Sequence, residues 1–307
     1  MSAAVHTAEQ NAALARNVTL LSVLTALTLV LVKFAIWVAS GSVALMASMA
    51  DSGLDLIASS ATFVAVRYAS APPDAEHRYG HGKAEAFASL LQAGLVFGSA
   101  ALIGEEAIRR LFDPKPVVEE TWALAAMALS IVMTAGLILA QTRLLRRANS
   151  VAVSADRTHY AADLASNVIA LAGIAAATLL GVVSLDAVAA LVIGGLLLWG
   201  AIAVFRDASD QLLDRELPDA SRARIVDLVL ADPSVRDVHQ VRTRASGPIT
   251  HIQMHADLDP DLSLEAAHSI LVAAEKRILA AFPASDIIIH PDPRGRAEPH
   301  GGAFGEG

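Results

Sequence analysis

The chain has 307 residues, of which 54% are hydrophobic and 5% aromatic, and a formal net charge of −8. The acidic balance and the scarcity of aromatic rings argue against a nucleic-acid partner, because phosphate backbones bind basic surfaces. The absence of cysteine excludes disulfides and thiolate metal sites, so any metal must be held by histidine and carboxylate.

Six long apolar segments fill the first two thirds of the chain. They lie at 17–39, 43–69, 85–111, 121–144, 156–180 and 185–205. Each has about 20 residues or more, the length that a helix needs to cross the hydrocarbon core of a bilayer. The pattern predicts a six-helix all-α transmembrane domain over residues 17–206, preceded by a cytosolic segment at 1–16.

Basic residues predict the orientation of these helices. One set of segment ends carries Arg16, Arg67, Arg78, Lys83, Arg143, Arg146, Arg147, Arg157 and Arg206, and the other carries Arg109, Arg110 and Lys115. Cytoplasmic ends of membrane helices are enriched in Lys and Arg. We therefore expect both termini in the cytoplasm, which agrees with an even number of crossings.

The character of the sequence changes near Asp207, after which no apolar run could span a membrane. Helical and strand patterns alternate at 218–231 (helix), 235–244 and 250–258 (strands), 262–282 (helix) and 286–290 (strand). The pattern predicts a small cytosolic α+β domain over residues 207–295, in the order αββαβ. The Gly-rich tail, residues 296–307, is expected to be disordered.

Two of the apolar segments contain ionisable residues at a spacing of four. Asp51 and Asp55 lie in the second segment, and His159 and Asp163 lie in the fifth. This spacing places each pair on one helix face, about one turn apart. If the two faces meet, three carboxylates and one imidazole surround a point, which matches the four-coordinate shell that zinc accepts.

The alternative is that these charges lie at helix ends among the lipid headgroups. This is credible for His159 but poor for Asp51 and Asp55, which lie well inside their segment. Each Asp near the bilayer centre costs roughly 2.5–3.5 kcal/mol, and no basic partner shares these faces. We expect the long stem of Lys33 to carry its ammonium to an interface. The balance favours a metal site.

Proton coupling follows from the same chemistry. A ligand must lose its proton to bind metal, so protons and metal compete for the site. An imidazole titrates at about pH 6.5, within the useful range. We therefore expect His159, together with Asp163, to carry protons in exchange for the metal.

A second group of potential ligands lies in the loop after the second segment. Asp74, His77 and His81 have spacings of three and four, which could chelate one ion if the loop coils. An ordinary solvated polar loop is an equally good interpretation of these residues. The sequence leaves the two open.

The C-terminal domain contains a third group. A hairpin centred on Gly247 would pair residues whose numbers sum to 494, and would place His239 opposite His255. Further along the chain, His290 and Asp292 lie two apart in an extended segment and so share a face. His268 lies on the helix between. The group could hold one or two ions, or it could be a set of scattered surface histidines.

At these positions the sequence resembles the cation diffusion facilitator (CDF) family, and most of all its bacterial YiiP-type zinc/iron efflux members. The resemblance runs from about residue 15 to 293. It is carried by Asp51-x-x-x-Asp55, His159-x-x-x-Asp163, Gly80-His81-Gly82-Lys83, Leu212-Leu213-Asp214-Arg215, Arg242-Thr243-Arg244-x-Ser246-Gly247-Pro248 and Ile288-Ile289-His290-x-Asp292-Pro293. One of these motifs would be weak, but all of them in order are specific.

The resemblance implies a homodimeric antiporter in a bacterial inner membrane that exports Zn²⁺, and also Cd²⁺ or Fe²⁺, in exchange for protons. It implies transport at Asp51, Asp55, His159 and Asp163, and a loop site at Asp74, His77 and His81. It implies a binuclear site that bridges the cytosolic domains through His239, His255, His268, His290 and Asp292. It also implies a salt bridge between protomers from Lys83 to Asp214.

Three other functions compete with this interpretation. A metal-regulated channel would not need tight chelation inside the membrane, and a membrane-bound metal sensor would not need an intramembrane site at all. An intramembrane metallohydrolase often carries His-Glu-x-x-His, which is absent from this sequence. We therefore expect a secondary transporter and not an enzyme.

Overall fold

The structure is a computed structural model that describes residues 2–40, 43–112, 121–146, 150–180 and 184–295. It divides into two compact units, one of residues 12–209 and one that contains residues 2–11 and 210–295. The chain passes from the first unit to the second between Ser209 and Asp210, three residues after the predicted boundary at 206/207. The predicted tail at 296–307 lies outside the described residues.

The first unit is helical, as predicted. Its helices are α1 Ser2–Ser40, α2 Val43–Ala69, α3 Ala84–Phe112, α4 Thr121–Leu145, α5 Val151–Leu180 and α6 Ser184–Leu212. Each predicted apolar segment lies inside one helix. The prediction of a six-helix domain is confirmed, although α5 begins five residues before its predicted start.

The exterior of this unit is apolar. Four described stretches are long and apolar enough to cross a membrane: Ala13–Ala39, Ala84–Arg109, Leu124–Leu145 and Ala190–Leu212. The two remaining helices, α2 and α5, have 27 and 30 residues and contain the predicted ligands. Large apolar side chains such as Leu102, Val132 and Trp199 are more than half exposed, as expected for a surface that faces lipid.

Helix α5 is the central element of the described bundle. It packs against α2, α3 and α4. Its small side chains Ala155 and Ala162 are buried in apolar clusters with residues of α3 and α6. Small residues let membrane helices approach closely. Any polar side chain on α5 therefore lies within reach of several neighbouring helices.

The second unit is the predicted α+β domain. Its elements are α7 Asp219–Leu230, β1 Asp237–Ser246, β2 Ile249–Leu258, α8 Leu264–Ala281 and β3 Ser285–Pro293. The strands form one sheet in the order β1-β2-β3, with β1 and β2 antiparallel and β2 and β3 parallel. Strand β3 extends beyond its predicted end at His290, so Asp292 lies within the sheet.

The two faces of this sheet have different roles. Ile252, Met254 and Ala256 of β2 are buried in a core formed with α7 and α8. Successive side chains of a strand point to opposite faces, so the odd-numbered residues of β2 lie on the other face. The helices therefore cover one face of the sheet, and the histidines of the strands lie on the other face.

The turn of the hairpin differs from its prediction by half a residue. Ser246 pairs with Ile249, so the turn is centred between Gly247 and Pro248 and not on Gly247. Gly247 has a φ of +57°, which glycine adopts without strain. Near the turn, paired residue numbers therefore sum to 495 and not to the predicted 494.

A β-bulge restores the predicted histidine pair. Without it, the register set by the turn would place His239 opposite Ala256. The register shifts between His239 and Arg242, where Gln240 has a φ of +50°, and beyond the shift His239 pairs with His255. The predicted pair of His239 and His255 is confirmed, but it depends on a β-bulge that was not predicted from the sequence.

We expect Ile252→Ala to loosen the C-terminal domain. Ile252 is fully buried, and truncating an Ile in a core costs about 2–5 kcal/mol. Amide hydrogen exchange of β1–β3 in the full-length protein should therefore become faster. Ile288→Ala is the matched control, because Ile288 lies on the same sheet but is 55% exposed. Equal exchange rates in the two variants would contradict the assignment of the core.

Candidate metal centres

The first candidate centre lies between α2 and α5. Nε2 of His159 lies 3.1 Å from Oδ1 of Asp55 and 3.7 Å from Oδ2 of Asp163. One ligand atom from each of the three residues lies within 4.8 Å of the others. The two helix faces predicted to meet therefore do meet at these three side chains.

These three side chains suit a divalent metal. Ligands of a tetrahedral zinc ion lie about 3.3 Å apart, because each Zn–N or Zn–O bond is about 2.0 Å long. Within the described structure, Oδ2 of Asp163 is buried and makes no hydrogen bond, and it lies 3.7 Å from Nε2 of His159. Buried polar atoms are rarely left unpaired, so such atoms indicate a ligand that completes the site.

Asp51 is not part of this three-residue group. It lies one turn before Asp55 on α2, as predicted, but its side chain is exposed. It remains close enough to Asp163 and Asp55 to interact with them electrostatically. Its role as a fourth ligand therefore stays a prediction.

The expectation for Lys33 is wrong. Its side chain does not extend to an interface but is buried, with 7% of the residue exposed. Its Nζ donates to Oγ of Ser52 at 2.8 Å and lies 3.3 Å from the carbonyl oxygen of Ser48. Both acceptors belong to α2, next to the predicted ligands. A basic group therefore does accompany the intramembrane carboxylates.

Sequence reasoning missed a fourth carboxylate, Asp156. It is fully buried one turn before His159 on α5. Its Oδ1 accepts a hydrogen bond from Nε2 of Gln92 at 2.9 Å, and its Oδ2 accepts one from Nε2 of Gln141 at 2.8 Å. Asp156 is the first residue of the predicted fifth segment, 156–180, and no role was predicted for it from the sequence. The signal that could have found it is the spacing of three from His159.

The same amides extend this network to the other helices. Gln92 also donates to Thr62 of α2, and Gln141 also donates to Ser22 of α1. Ser59 of α2 shares a hydrogen bond of 2.8 Å with the hydroxyl of Tyr160. The network therefore joins α1, α2, α3, α4 and α5 one turn away from the candidate centre. Hydrogen bonds of this kind fix the relative positions of membrane helices.

The second candidate centre is the loop between α2 and α3. Oδ1 of Asp74 lies 3.2 Å from Nδ1 of His77, and Oδ2 of Asp74 lies 3.3 Å from Nε2 of His81. His81 is buried and packs against Tyr68 with the two rings tilted by 59° and their centroids 4.4 Å apart. The loop brings the three predicted residues together, which a freely solvated loop would not do.

The backbone of this loop prepares Asp74 for a cation. Its carboxylate accepts the N–H groups of His77 at 2.6 Å and of Glu76 at 2.9 Å. These hydrogen bonds, that from His77 first, hold the pKa of Asp74 below its ordinary value. Gly80 permits the turn that follows, because its φ is +81°. Asp74 therefore stays ionised and available as a ligand.

The third candidate centre is on the uncovered face of the sheet. His239, His255 and His290 form a row across the three strands. All three contact Asp292: its Oδ2 lies 2.9 Å from His255 and 3.2 Å from His239, and its Oδ1 lies 3.4 Å from His290. His239, His255 and Asp292 each present a ligand atom within 4.8 Å of the others. The carboxylate of Asp292 thus contacts the imidazoles of all three histidines.

Two further residues of this region differ from the sequence reasoning. Asp257, which that reasoning missed, pairs with Asp292 across β2 and β3, and its Oδ1 lies 3.8 Å from Nδ1 of His239. His268 is exposed on α8, which covers the opposite face of the sheet. Within one protomer the structure does not bring His268 to the other histidines, so its part in a binuclear site stays a prediction.

Asp214, one partner of the predicted salt bridge between protomers, makes a contact within its own protomer. Asp214 has a φ of +57° and accepts a hydrogen bond from Nη1 of Arg244 at 3.1 Å. The bridge from Lys83 to Asp214 involves a second protomer and stays a prediction.

We expect Asp156→Ala to destabilise the helical unit. The change leaves one N–H of each of two buried amides, Gln92 and Gln141, without an acceptor, at a cost of about 1–3 kcal/mol each. The melting temperature of the detergent-solubilised protein should fall by roughly 5 °C or more. Asp156→Asn keeps an acceptor and should cause a smaller drop. Asp227→Ala, which removes an exposed carboxylate of α7, should cause none. An unchanged melting temperature for Asp156→Ala would show that the network does not hold the helices.

We expect His255→Ala to remove zinc binding from the sheet. In the wild-type protein, zinc should slow amide hydrogen exchange in β1–β3, because it links three strands. The effect should be lost in His255→Ala. His251→Ala is the matched control: His251 lies on the same strand and face but contacts Asp286 at 3.1 Å instead. Equal zinc protection in both variants would contradict this centre.

Comparison with known proteins agrees with this architecture. Residues 19–213 match the family model described as the cation efflux transmembrane domain, and residues 217–294 match that of the cation efflux protein cytoplasmic domain. The cation-efflux pump FieF of Shewanella oneidensis is 40% identical over 279 residues, which are 89% of this chain and 92% of the relative. FieF of Cronobacter sakazakii is 39% identical over 274 residues, which are 89% of this chain and 91% of the relative.

Among solved structures, the Zn form of CzrB aligns at 28% identity with 28% of this chain and 98% of its own, with a TM-score of 0.26. The family models match nearly the whole length of the chain, and two relatives near 40% identity are covered almost completely. The chain therefore belongs to the cation diffusion facilitator (cation efflux) family of multi-pass membrane transporters.

Proposed function

We propose that this protein exports divalent metal cations, with Zn²⁺ as the main substrate, in exchange for protons. The observation that carries the proposal is the group of Asp55, His159 and Asp163, which joins two membrane helices at one point. The relatives that match the full chain are named as cation-efflux pumps. A cation site of this kind inside a transport domain is where the substrate would bind.

The donor set favours zinc or cadmium over harder ions. The site offers one imidazole nitrogen besides carboxylate oxygens, and imidazole suits Zn²⁺ and Fe²⁺ better than Mg²⁺ or Ca²⁺. No thiolate is present to select Cu⁺, since the chain has no cysteine. Asp51 would supply a fourth ligand by a small movement of α2 toward α5. Zinc then has the tetrahedral shell that it prefers.

Exchange with protons follows from competition for the same atoms. His159 and Asp163 must be deprotonated to bind metal, so protons that reach the site from outside displace the ion. The metal would enter from the cytosol, and the helices would rearrange between inward and outward access. A channel needs no such chelation, and a sensor needs no ligands between membrane helices, so the geometry supports a carrier.

The remaining centres support a regulated homodimer in the inner membrane. The C-terminal domain matches the cytoplasmic domain of the family, so both termini would be cytosolic. Metal held at Asp292 and its histidines would neutralise an acidic domain and draw two copies together, which biases the transmembrane equilibrium. The loop centre at Asp74 would act at the cytosolic mouth, beside the bridge from Lys83 to Asp214.

We expect zinc uptake into vesicles that contain the purified protein to follow an imposed pH gradient. Asp55→Ala should lower this uptake at least about 100-fold, because it removes one ligand from a three-residue centre. Asp227→Ala is the matched control, because it removes an exposed carboxylate outside the centre. The measurement is the initial rate of zinc uptake with the gradient present and with it collapsed.

The other outcomes distinguish the alternatives. Zinc flux that is indifferent to the gradient would identify a channel or uniporter. The absence of flux for every divalent metal tested, in folded wild-type protein that still binds zinc, would identify a sensor. Wild-type flux in Asp55→Ala would remove the intramembrane centre from the transport path.

A further inference from the structure

Lys33 of α1 is buried beside the transmembrane centre and is not explained by the transport reaction proposed above. Its ammonium is held by the side chain of Ser52 and lies close to the carbonyl oxygen of Ser48. Ser52 directly follows Asp51 in the sequence and lies one turn before Asp55. Lys33 is thereby held next to the stretch of α2 that carries two of the predicted ligands.

Asp55 and Asp163 of the centre and the neighbouring Asp51 act on this ammonium. Asp55, Asp51 and Asp163 all lie near enough to Lys33 to interact with it electrostatically, with Asp55 the strongest. Lys33 comes from a different helix than any of the three. It is therefore an independent charge that the fold brings to the centre, and not a by-product of the ligand spacing.

We propose that Lys33 is a tethered counter-charge that sets how tightly the transmembrane centre holds a divalent ion. This inference rests on the proposed transport function and deepens it. Lys33 acts through the ligands and not as one, since an ammonium has no free electron pair to give a metal. It is a positioning and affinity-setting residue of the site.

The charges of the site balance with Lys33 included. With Asp51 as the proposed fourth ligand, three ionised carboxylates contribute −3, the ammonium contributes +1, and a neutral imidazole contributes nothing, so the deprotonated centre carries −2. One divalent cation brings this sum to zero, whereas a monovalent or trivalent cation leaves a net charge. Net charge inside a membrane is costly, so the balanced state is favoured. Lys33 thus matches the centre to ions of charge +2.

A purely structural role is the alternative explanation. In that case the bond from Lys33 to Ser52 would only tie α1 to α2, and a neutral donor would serve as well. A buried ammonium is a costly means to this end, because it must be removed from water. The charge is therefore the property that the site uses, and the hydrogen bonds hold that charge in place.

Removal of the charge has a defined consequence. Without Lys33, the centre loaded with a divalent ion keeps an excess of −1 and attracts the ion more strongly. At an effective dielectric constant of ~20, a unit charge within about 10 Å of a divalent ion changes a Kd by tenfold or more. The ion would bind more tightly and dissociate more slowly, and slow dissociation would lower the rate of transport.

The test compares three variants of the full-length protein. Lys33→Met removes the charge and the donor, Lys33→Gln removes the charge but keeps a donor for Ser52, and Lys33→Arg keeps both. All are made in a His77→Ala, His255→Ala background, which removes the loop and sheet centres. The measurements are the Kd for zinc of the purified protein, and KM and kcat for zinc uptake in vesicles.

We expect Lys33→Met and Lys33→Gln to lower the Kd and KM at least about tenfold and to lower kcat, and Lys33→Arg to resemble the background protein. Wild-type values in Lys33→Gln would show that a neutral donor suffices, and would overturn the inference. An unchanged or higher Kd for zinc in Lys33→Met would also overturn the inference. If Lys33→Met does not fold, Lys33→Gln carries the test. If the protein that keeps Lys33 shows no zinc uptake, the proposed transport function is contradicted instead. The Kd values of the Lys33 variants for zinc still test the role of Lys33 in that case.

Discussion

The cost of a charge in a low-dielectric interior governs the helical unit. Asp55, Asp163 and Asp156 all lie on membrane helices, where an uncompensated carboxylate is expensive. The fold compensates them in two different ways. Asp156 is surrounded by fixed amide donors, whereas Asp55 and Asp163 face a histidine and a lysine. The first arrangement is satisfied by protein donors, whereas the second leaves a buried oxygen of Asp163 without a hydrogen bond.

These two arrangements lie about one helical turn apart on α5. Helix α5 thus carries a rigid polar junction at Asp156 and an exchangeable one at His159 and Asp163. Hydrogen bonds at the Asp156 junction join five helices at one level of the bundle. A transporter that alternates between inward-facing and outward-facing states needs such a junction, because the relative positions of its ligands must be kept when the helices move.

The sequence predicted most of the fold because apolar length and strand alternation are local properties. It also predicted which residues meet at Asp55, His159 and Asp163, since a spacing of four defines a helix face. It could not predict the network around Asp156, whose partners are scattered over four other helices. Nor could it predict the burial of Lys33. A lysine side chain is long enough either to reach an interface or to stay buried, and only the packing of α1 on α2 determines which of the two occurs.

The bulge at Gln240 has a consequence for how this domain tolerates changes in chain length. A strand lacking that residue would run straight from the turn and still place His239 opposite His255, because the present register already skips one position. The row of histidines is thus compatible with two backbones that differ by one residue. A deletion at this point would leave the metal ligands in place, whereas a deletion between Gln253 and His255 would turn the side chain of His255 toward the core.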